Sequence, residues 1–218
     1  GNNPFYHSYI YELCLKHPIC AILRNVPLEE TEDYARAVFE GGVKMFEVAL
    51  NSDDALSQIS LLKKILGEEA AVGAGTVTTP ERCRIALDSG AEFVLTPSVN
   101  RDTIEFCLKH AIRILPGVMT PTDVDVCLSY GLNTMKLFPA GDLPENYIKS
   151  LKGPFDGTEY VAVGGVNAGN IGTFFERGFI GVGMGQNMVP REYVEKKQWE
   201  EAAAYVRGLV QGIRRKSL

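Results

Sequence analysis

The sequence predicts an α/β fold, a single (β/α)8 TIM barrel, on three observations. Short apolar segments rich in Val, Ile, Leu and Phe alternate with amphipathic stretches from end to end, eight times over. Strict alternation of this kind implies a parallel sheet covered by helices. The strand segments are continuous apolar runs, as strands buried on both faces are. An open, dinucleotide-binding sheet calls for G-x-G-x-x-G after the first strand, and none stands there. A closed barrel fits, with a packed interior and a site at the C-terminal strand ends.

The first strand is read at 19–23, followed by a helix over 28–39 that Gly41-Gly42 ends, glycine being the usual residue just past a helix. The second strand is read at 44–50, with Ser52 or Asp53 as cap for a helix over 54–66. The third is read at 70–73, and Pro80 stands in the first turn of the next helix, where proline is tolerated. Gly90 ends that helix, and 93–95 is the fourth strand. A helix over about 102–108 leads to the fifth strand at 113–115. Pro121 opens a helix that stops before Gly131. The sixth strand is read at 134–138, a short helix at 146–151 and the seventh strand at 160–163, with 171–176 lying in the helix that follows. The eighth strand is read at 179–182, and the last helix at about 193–214. Arg214, Arg215 and Lys216 then stand where cations suit the helix dipole. No linker or low-complexity stretch divides the chain, so residues 1–218 are expected to form one domain.

Composition excludes several classes. The chain carries a net charge of −5 without a block of like charges or a basic patch interleaved with aromatics, which disfavours nucleic acid. No apolar run reaches the roughly 18 residues of a membrane span. Five scattered cysteines without C-x-x-C spacing, and three histidines far apart, predict neither a disulfide framework nor a metal site. A cytoplasmic protein with reduced, mostly buried thiols is expected.

A barrel brings the strand ends to one mouth. In order these are Arg24; Glu47 with Asn51 after it; Gly73-Ala74-Gly75-Thr76; Thr96-Pro97; Pro116-Gly117; Lys136 with Phe138; Val163-Gly164-Gly165; and Gly183-Met184-Gly185-Gln186. Tight turns after strands need glycine for conformational reasons alone. Glycines after the last two strands also let backbone N–H groups approach an anion, and such barrels commonly hold phosphate there.

Lys136 lies in Thr-Met-Lys-Leu-Phe-Pro and Glu47 in Met-Phe-Glu-Val-Ala-Leu. Charged residues are rarely buried without a partner. Lys136 reads either as a lysine snorkelling to the rim or as an amine whose pKa an apolar pocket lowers, able to attack a carbonyl. Glu47 reads either as a structural partner of Lys136 or Arg24, or as a general acid–base beside the nucleophile. Strand pleating sends Lys136 and Phe138 to the same face.

These residues, in this order, resemble the family of 2-keto-3-deoxy-6-phosphogluconate and 4-hydroxy-2-oxoglutarate aldolases. The resemblance runs from Ala21-Ile-Leu-Arg24 to Met188-Val-Pro190 through Gly41 to Val48, Gly73-Ala-Gly-Thr-Val77, Thr96-Pro97, Leu115-Pro-Gly117, Lys136-Leu-Phe-Pro139 and Gly164-Gly165. It implies a barrel assembled as a homotrimer, acting on a small-molecule keto acid without metal or organic cofactor. It implies Lys136 as the Schiff-base lysine and Glu47 as the acid–base. Thr76 would hold the pyruvate carboxylate, and Pro97 and Phe138 would wall the pyruvyl group. Gly164, Gly165 and the last strand's turn, Gly185-Gln186, would take a phosphate, and Arg24 would supply positive charge.

Three positions depart from the gluconate-type pattern. Asn51 stands where that pattern has arginine, and Val163 where it has threonine. Both are more similar to the phosphogalactonate branch, where Arg24 would hold the carboxylate. Gln186 stands where a serine is usual, which leaves a non-phosphorylated substrate open. The function expected is a class I aldolase releasing pyruvate and an aldehyde, glyceraldehyde 3-phosphate or glyoxylate. A barrel that binds a sugar acid or sugar phosphate without chemistry is the alternative, as is another phosphate-binding barrel enzyme such as an isomerase.

Overall fold

The computed structural model describes the backbone of residues 4–217 and the side chains of 9–213. Among the described residues nine strands, all parallel, run in the order β5-β4-β3-β2-β1-β9-β8-β7-β6 and form a nearly closed barrel with helices between them. They are β1 (Ile19–Leu23), β2 (Met45–Ala49), β3 (Ala71–Gly75), β4 (Phe93–Leu95), β5 (Arg113–Leu115), β6 (Gly117–Val118), β7 (Thr134–Leu137), β8 (Glu159–Val163) and β9 (Gly181–Met184). Pro116 alone separates β5 from β6. β5 pairs with β4, β6 pairs with β7, and the Pro116 carbonyl accepts from Lys136 N–H at 2.8 Å across the seam.

Ten helices accompany them among the described residues: α1 (Pro4–Lys16), α2 (Leu28–Glu40), α3 (Ala55–Leu66), α4 (Pro80–Asp88), α5 (Arg101–Lys109), α6 (Pro121–Ser129), α7 (Tyr147–Lys152), α8 (Ile171–Glu176), α9 (Arg191–Glu195) and α10 (Trp199–Ser217). Local chemistry sets their starts. Thr79 caps α4 by accepting from Arg82 N–H, Asn100 caps α5, and Thr120 with Asp123 forms a reciprocal capping box on α6.

Two cores result. A large one lies between strands and outer helices. A smaller one fills the barrel interior with Cys20, Met45, Phe93, Leu95, Leu115, Val161 and Val163, and Ile10 and Cys14 of α1 join it. A Cβ on Gly73 would lie 2.2 Å from the Phe93 ring, so glycine there makes room for that ring.

Five expectations need correction. The third strand, read at 70–73, is Ala71–Gly75, because glycines that make room for Phe93 and Glu47 continue the strand where they look like a turn. Helix α1 was absent from the sequence reading. Its signal, Ile10 with Leu13 and Cys14 at helical spacing, is short, and these side chains serve a barrel floor that only the tertiary fold creates. The eighth expected strand, 179–182, is shifted to Gly181–Met184. Phe179 instead packs edge-on against Phe174, with centroids 5.7 Å apart, while strand backbone continues through glycine because a Cβ on Gly183 would lie 2.8 Å from Ile22. The last helix is two helices, parted where Lys197 turns left-handed at φ 54°. Neither Ser52 nor Asp53 caps α3; the residue before it is Asp54 at φ 61°, with no side-chain cap bond. The charge–dipole expectation for Arg214, Arg215 and Lys216 concerns side chains outside the described residues. All five cysteines are buried and unbridged. No described helix is long and apolar enough to cross a membrane.

Candidate active site

Glu47 and Lys136 come from β2 and β7, and both are buried, at 4% and 6% exposure. Strand register places Glu47 beside Ile22 on β1 and Gly73 on β3, and Lys136 beside Gly117 and Val161. The two charges act on each other through space, yet they are not among the direct ion pairs of the described residues. Burial pushes the Glu47 carboxyl above the ordinary carboxylate range, against the pull of Lys136 and Arg24. Burial likewise pushes the Lys136 amine below the ordinary lysine range, with Glu47 opposing and Arg24 assisting. Desolvation leads both shifts because it penalises the charged form of either group. The result is an amine more readily neutral and a carboxyl more readily protonated than either would be in water. Such a pair suits nucleophilic attack and proton transfer at one place.

Glycine and strained backbone shape the surroundings. A Cβ on Gly75 would lie 2.4 Å from the Glu47 carboxyl carbon, so the last residue of β3 leaves room for that carboxylate. The next residue, Thr76, sits at φ 56°, unusual for a β-branched side chain, and its carbonyl accepts from Arg82 Nη1 at 3.1 Å. Arg24, just past β1, reaches Thr76 Oγ1 with Nη2 at 3.5 Å. The Lys136 Nζ lies 5.1 Å from the centre of the Phe138 ring, which is 39% exposed at the mouth. Pro97 is part-buried past β4, and Gly117 packs against it so closely that a Cβ would stand 2.7 Å from its carbonyl carbon. Val163 ends β8, buried. Gly164 and Gly165 are left-handed at φ +99° and +73°, and the Gly164 carbonyl accepts from Gly141 N–H at 2.8 Å. The N–H groups of Gly165, Val166, Gln186 and Asn187 meet no protein acceptor among the described residues.

The structure thus gathers Glu47, Lys136, Phe138, Arg24 and Thr76 into one mouth. Asn51 is exposed in the turn after β2. Gln186 joins that group by donating its side-chain amide to the Arg24 carbonyl. At two residues sequence reasoning missed the contact the structure shows. Cys20 lies buried beneath the pair and feels both charges, but an apolar strand hides a thiol as one more core residue. Ser52, expected as a cap, accepts from Asn25 N–H at 3.0 Å. No group of three or more His, Cys, Asp or Glu among the described residues could hold a metal ion.

A family model described as KDPG and KHG aldolase matches residues 10–205. The chain is 29% identical over 200 residues to 2-dehydro-3-deoxy-6-phosphogalactonate aldolase of Escherichia coli (strain K12), covering 91% of this chain and 97% of the relative. It is 29% identical over 187 residues to 2-dehydro-3-deoxy-phosphogluconate aldolase of Treponema pallidum (strain Nichols), covering 84% and 89%. Among solved structures, the KDPG aldolase of Legionella pneumophila "with pyruvate captured at low pH as a covalent carbinolamine intermediate" superposes with a TM-score of 0.82. It is 27% identical, over 91% of this chain and 97% of that one.

Proposed function

The chain belongs to the KDPG and KHG aldolase family, and from that premise we propose that it is a class I aldolase that cleaves a 2-keto-3-deoxy sugar acid through an imine on Lys136, with Glu47 as general acid–base. One observation carries the reading: two buried side chains of opposite charge on separate strands act on each other through space, and burial favours the neutral form of each. The covalent carbinolamine of pyruvate named for the Legionella pneumophila relative is chemistry of the same kind.

The steps follow from these groups. Lys136 Nζ adds to the C2 carbonyl carbon, and loss of water leaves a protonated imine. Glu47 takes the proton of the C4 hydroxyl, the C4–O bond becomes a carbonyl, and the C3–C4 bond breaks with its electron pair passing into the imine. The aldehyde departs and an enamine remains. Glu47 returns the proton to C3, and water cleaves the imine to release pyruvate and the free amine. Acid–base assistance of this kind contributes about 10²–10⁴-fold. Arg24 and Thr76 hold the substrate carboxylate, and Pro97 and Phe138 flank the pyruvyl carbons.

The architecture reads as the eightfold barrel if β5 and β6 count as one stave interrupted at Pro116. On that reading β8 and β9 are the seventh and eighth staves. The open N–H groups after them, on Gly165, Val166, Gln186 and Asn187, support an anion such as a 6-phosphate there. Asn51 and Val163 favour the galactonate-type substrate. The engagement of the Gln186 amide with Arg24 favours a non-phosphorylated acid instead. Pyruvate release from 2-keto-3-deoxy-6-phosphogalactonate, 2-keto-3-deoxy-6-phosphogluconate, their dephosphorylated forms and 4-hydroxy-2-oxoglutarate decides among these. Turnover of none of them contradicts the proposal.

A further inference from the structure

We propose that Gln186 and Ser52 are positioning residues that clasp the two poles of the Arg24–Asn25 peptide and thereby hold the Arg24 guanidinium beside Thr76, ready for the carboxylate of pyruvate. The inference rests on the aldolase reading above and gives the side chains of Gln186 and Ser52 a role in that site.

The geometry is specific to one peptide plane. The Arg24 carbonyl accepts from Gln186 Nε2, and the N–H of the same peptide, on Asn25, donates to Ser52 Oγ at 3.0 Å. The two holders come from separate turns, one after β9 and one after β2, so the turn after β1 is fixed from both of its neighbours in the barrel. Ser52 is itself 8% exposed, and its own N–H donates to the Ala49 carbonyl at 3.1 Å, so this hydroxyl stands on a fixed base. Asn25 needs such support, because it sits at φ 58°, a left-handed conformation that asparagine tolerates better than most residues.

Arg24 is otherwise loosely held. Its guanidinium is exposed, and its one side-chain hydrogen bond among the described residues is the 3.5 Å contact to Thr76 Oγ1. A long side chain that must be ordered on binding weakens affinity, and a backbone fixed beforehand reduces that cost. One N–H of the Gln186 amide is engaged with the Arg24 carbonyl, and the second remains a donor, so the double variant with Arg24 is what separates an effect through Arg24 from direct contact with the ligand.

The test measures borohydride trapping of pyruvate on the full-length protein as a function of pyruvate concentration. The variants are Gln186→Ala, Ser52→Ala, Ser52→Thr, Arg24→Met and the double variant of Gln186 and Arg24. Loss of one neutral hydrogen bond at Gln186 is expected to raise the half-saturating pyruvate concentration by up to about tenfold. The limiting trapping rate and the melting temperature should stay as in the unaltered protein. Arg24→Met is expected to raise half-saturation at least as far, and the double variant to match Arg24→Met alone, since residues acting through one group are not additive. Ser52→Ala should act in the same direction, and Ser52→Thr, which keeps the acceptor, should restore the value. Additive effects in the double variant would show Gln186 touching the ligand directly and overturn the clasp. So would an unchanged half-saturation in Gln186→Ala. Absence of any trapping in the unaltered protein is a separate outcome: it overturns the aldolase reading, and the clasp's purpose with it.

Discussion

Gly75 stands against the carboxylate of Glu47, so close that a Cβ on it would lie 2.4 Å from both the carboxyl carbon and Oε1. The atoms in the way belong to the free end of a side chain, not to backbone. Gly75→Ala should therefore fold normally and answer by turning the carboxylate aside. Misplacing a catalytic group by about 1 Å can cost about 10²-fold in rate. The expected outcome is a kcat lowered by about that factor, with a melting temperature within a degree or two of the parent, an order-of-magnitude expectation for a shift without cavity or strain. Wild-type kcat in Gly75→Ala would remove Glu47's position from the mechanism.

A second glycine provides the contrasting case. Gly41 ends α2, and a Cβ there would lie 2.5 Å from Val206 Cβ and 2.9 Å from the Ala203 carbonyl oxygen on α10. Neither atom is the end of a flexible chain. Gly41→Ala should force α10 away and lower stability by about 1–3 kcal/mol. Because this contact lies on the outside of the barrel, kcat below the melting transition should match the parent. Chemical denaturation with a parallel rate assay checks both halves.

The first strand, the fourth and the fifth were legible at the residue level because apolar runs with sharp Gly, Pro or polar edges bound them. Gly181–Met184 was misplaced because Gly181 and Gly183, the second of which makes room for Ile22, look like turn residues in sequence. At the site, Lys136 and Glu47 stood out because charge inside an apolar strand is chemically conspicuous. Gly75, Ser52 and Gln186 did not disclose what they do. Their partners, Glu47, Asn25 and Arg24, lie between 27 and 162 residues away, and nothing local in a glycine, serine or glutamine encodes a contact made across turns.

The rate of imine formation should report the mutual pull of Glu47 and Lys136. Attack needs the neutral amine, so the rate rises with pH through the pKa of Lys136. Burial already moves that limb below the region near 10.4 of an ordinary lysine. Negative charge on Glu47 raises the Lys136 pKa. Removing it in Glu47→Gln lowers the pKa further, so the limb should move to lower pH while turnover collapses. Stopped-flow trapping across pH reads this directly. A limb that stays put would show that the two groups do not interact, and one that moves upward would contradict the sign of their interaction.

Burying both charges also carries a stability cost. Replacing a buried charged pair with neutral side chains of similar size is often stabilising by about 1–4 kcal/mol. The double variant Glu47→Gln with Lys136→Met should be inactive and more stable than the parent. Removing the lysine alone gains less, because Glu47 then loses a partner that lowers its pKa. A double variant that unfolds more readily would assign the pair to holding the barrel together.

The central claim is that Lys136 forms the imine. The direct measurement is sodium borohydride reduction in the presence of pyruvate, followed by peptide mass spectrometry, with Lys136→Arg as control. The expected result is a reduced pyruvyl adduct confined to Lys136, and none in the arginine variant, which keeps the charge but cannot attack. An adduct on another lysine, or none in folded protein across a range of pH, would contradict it.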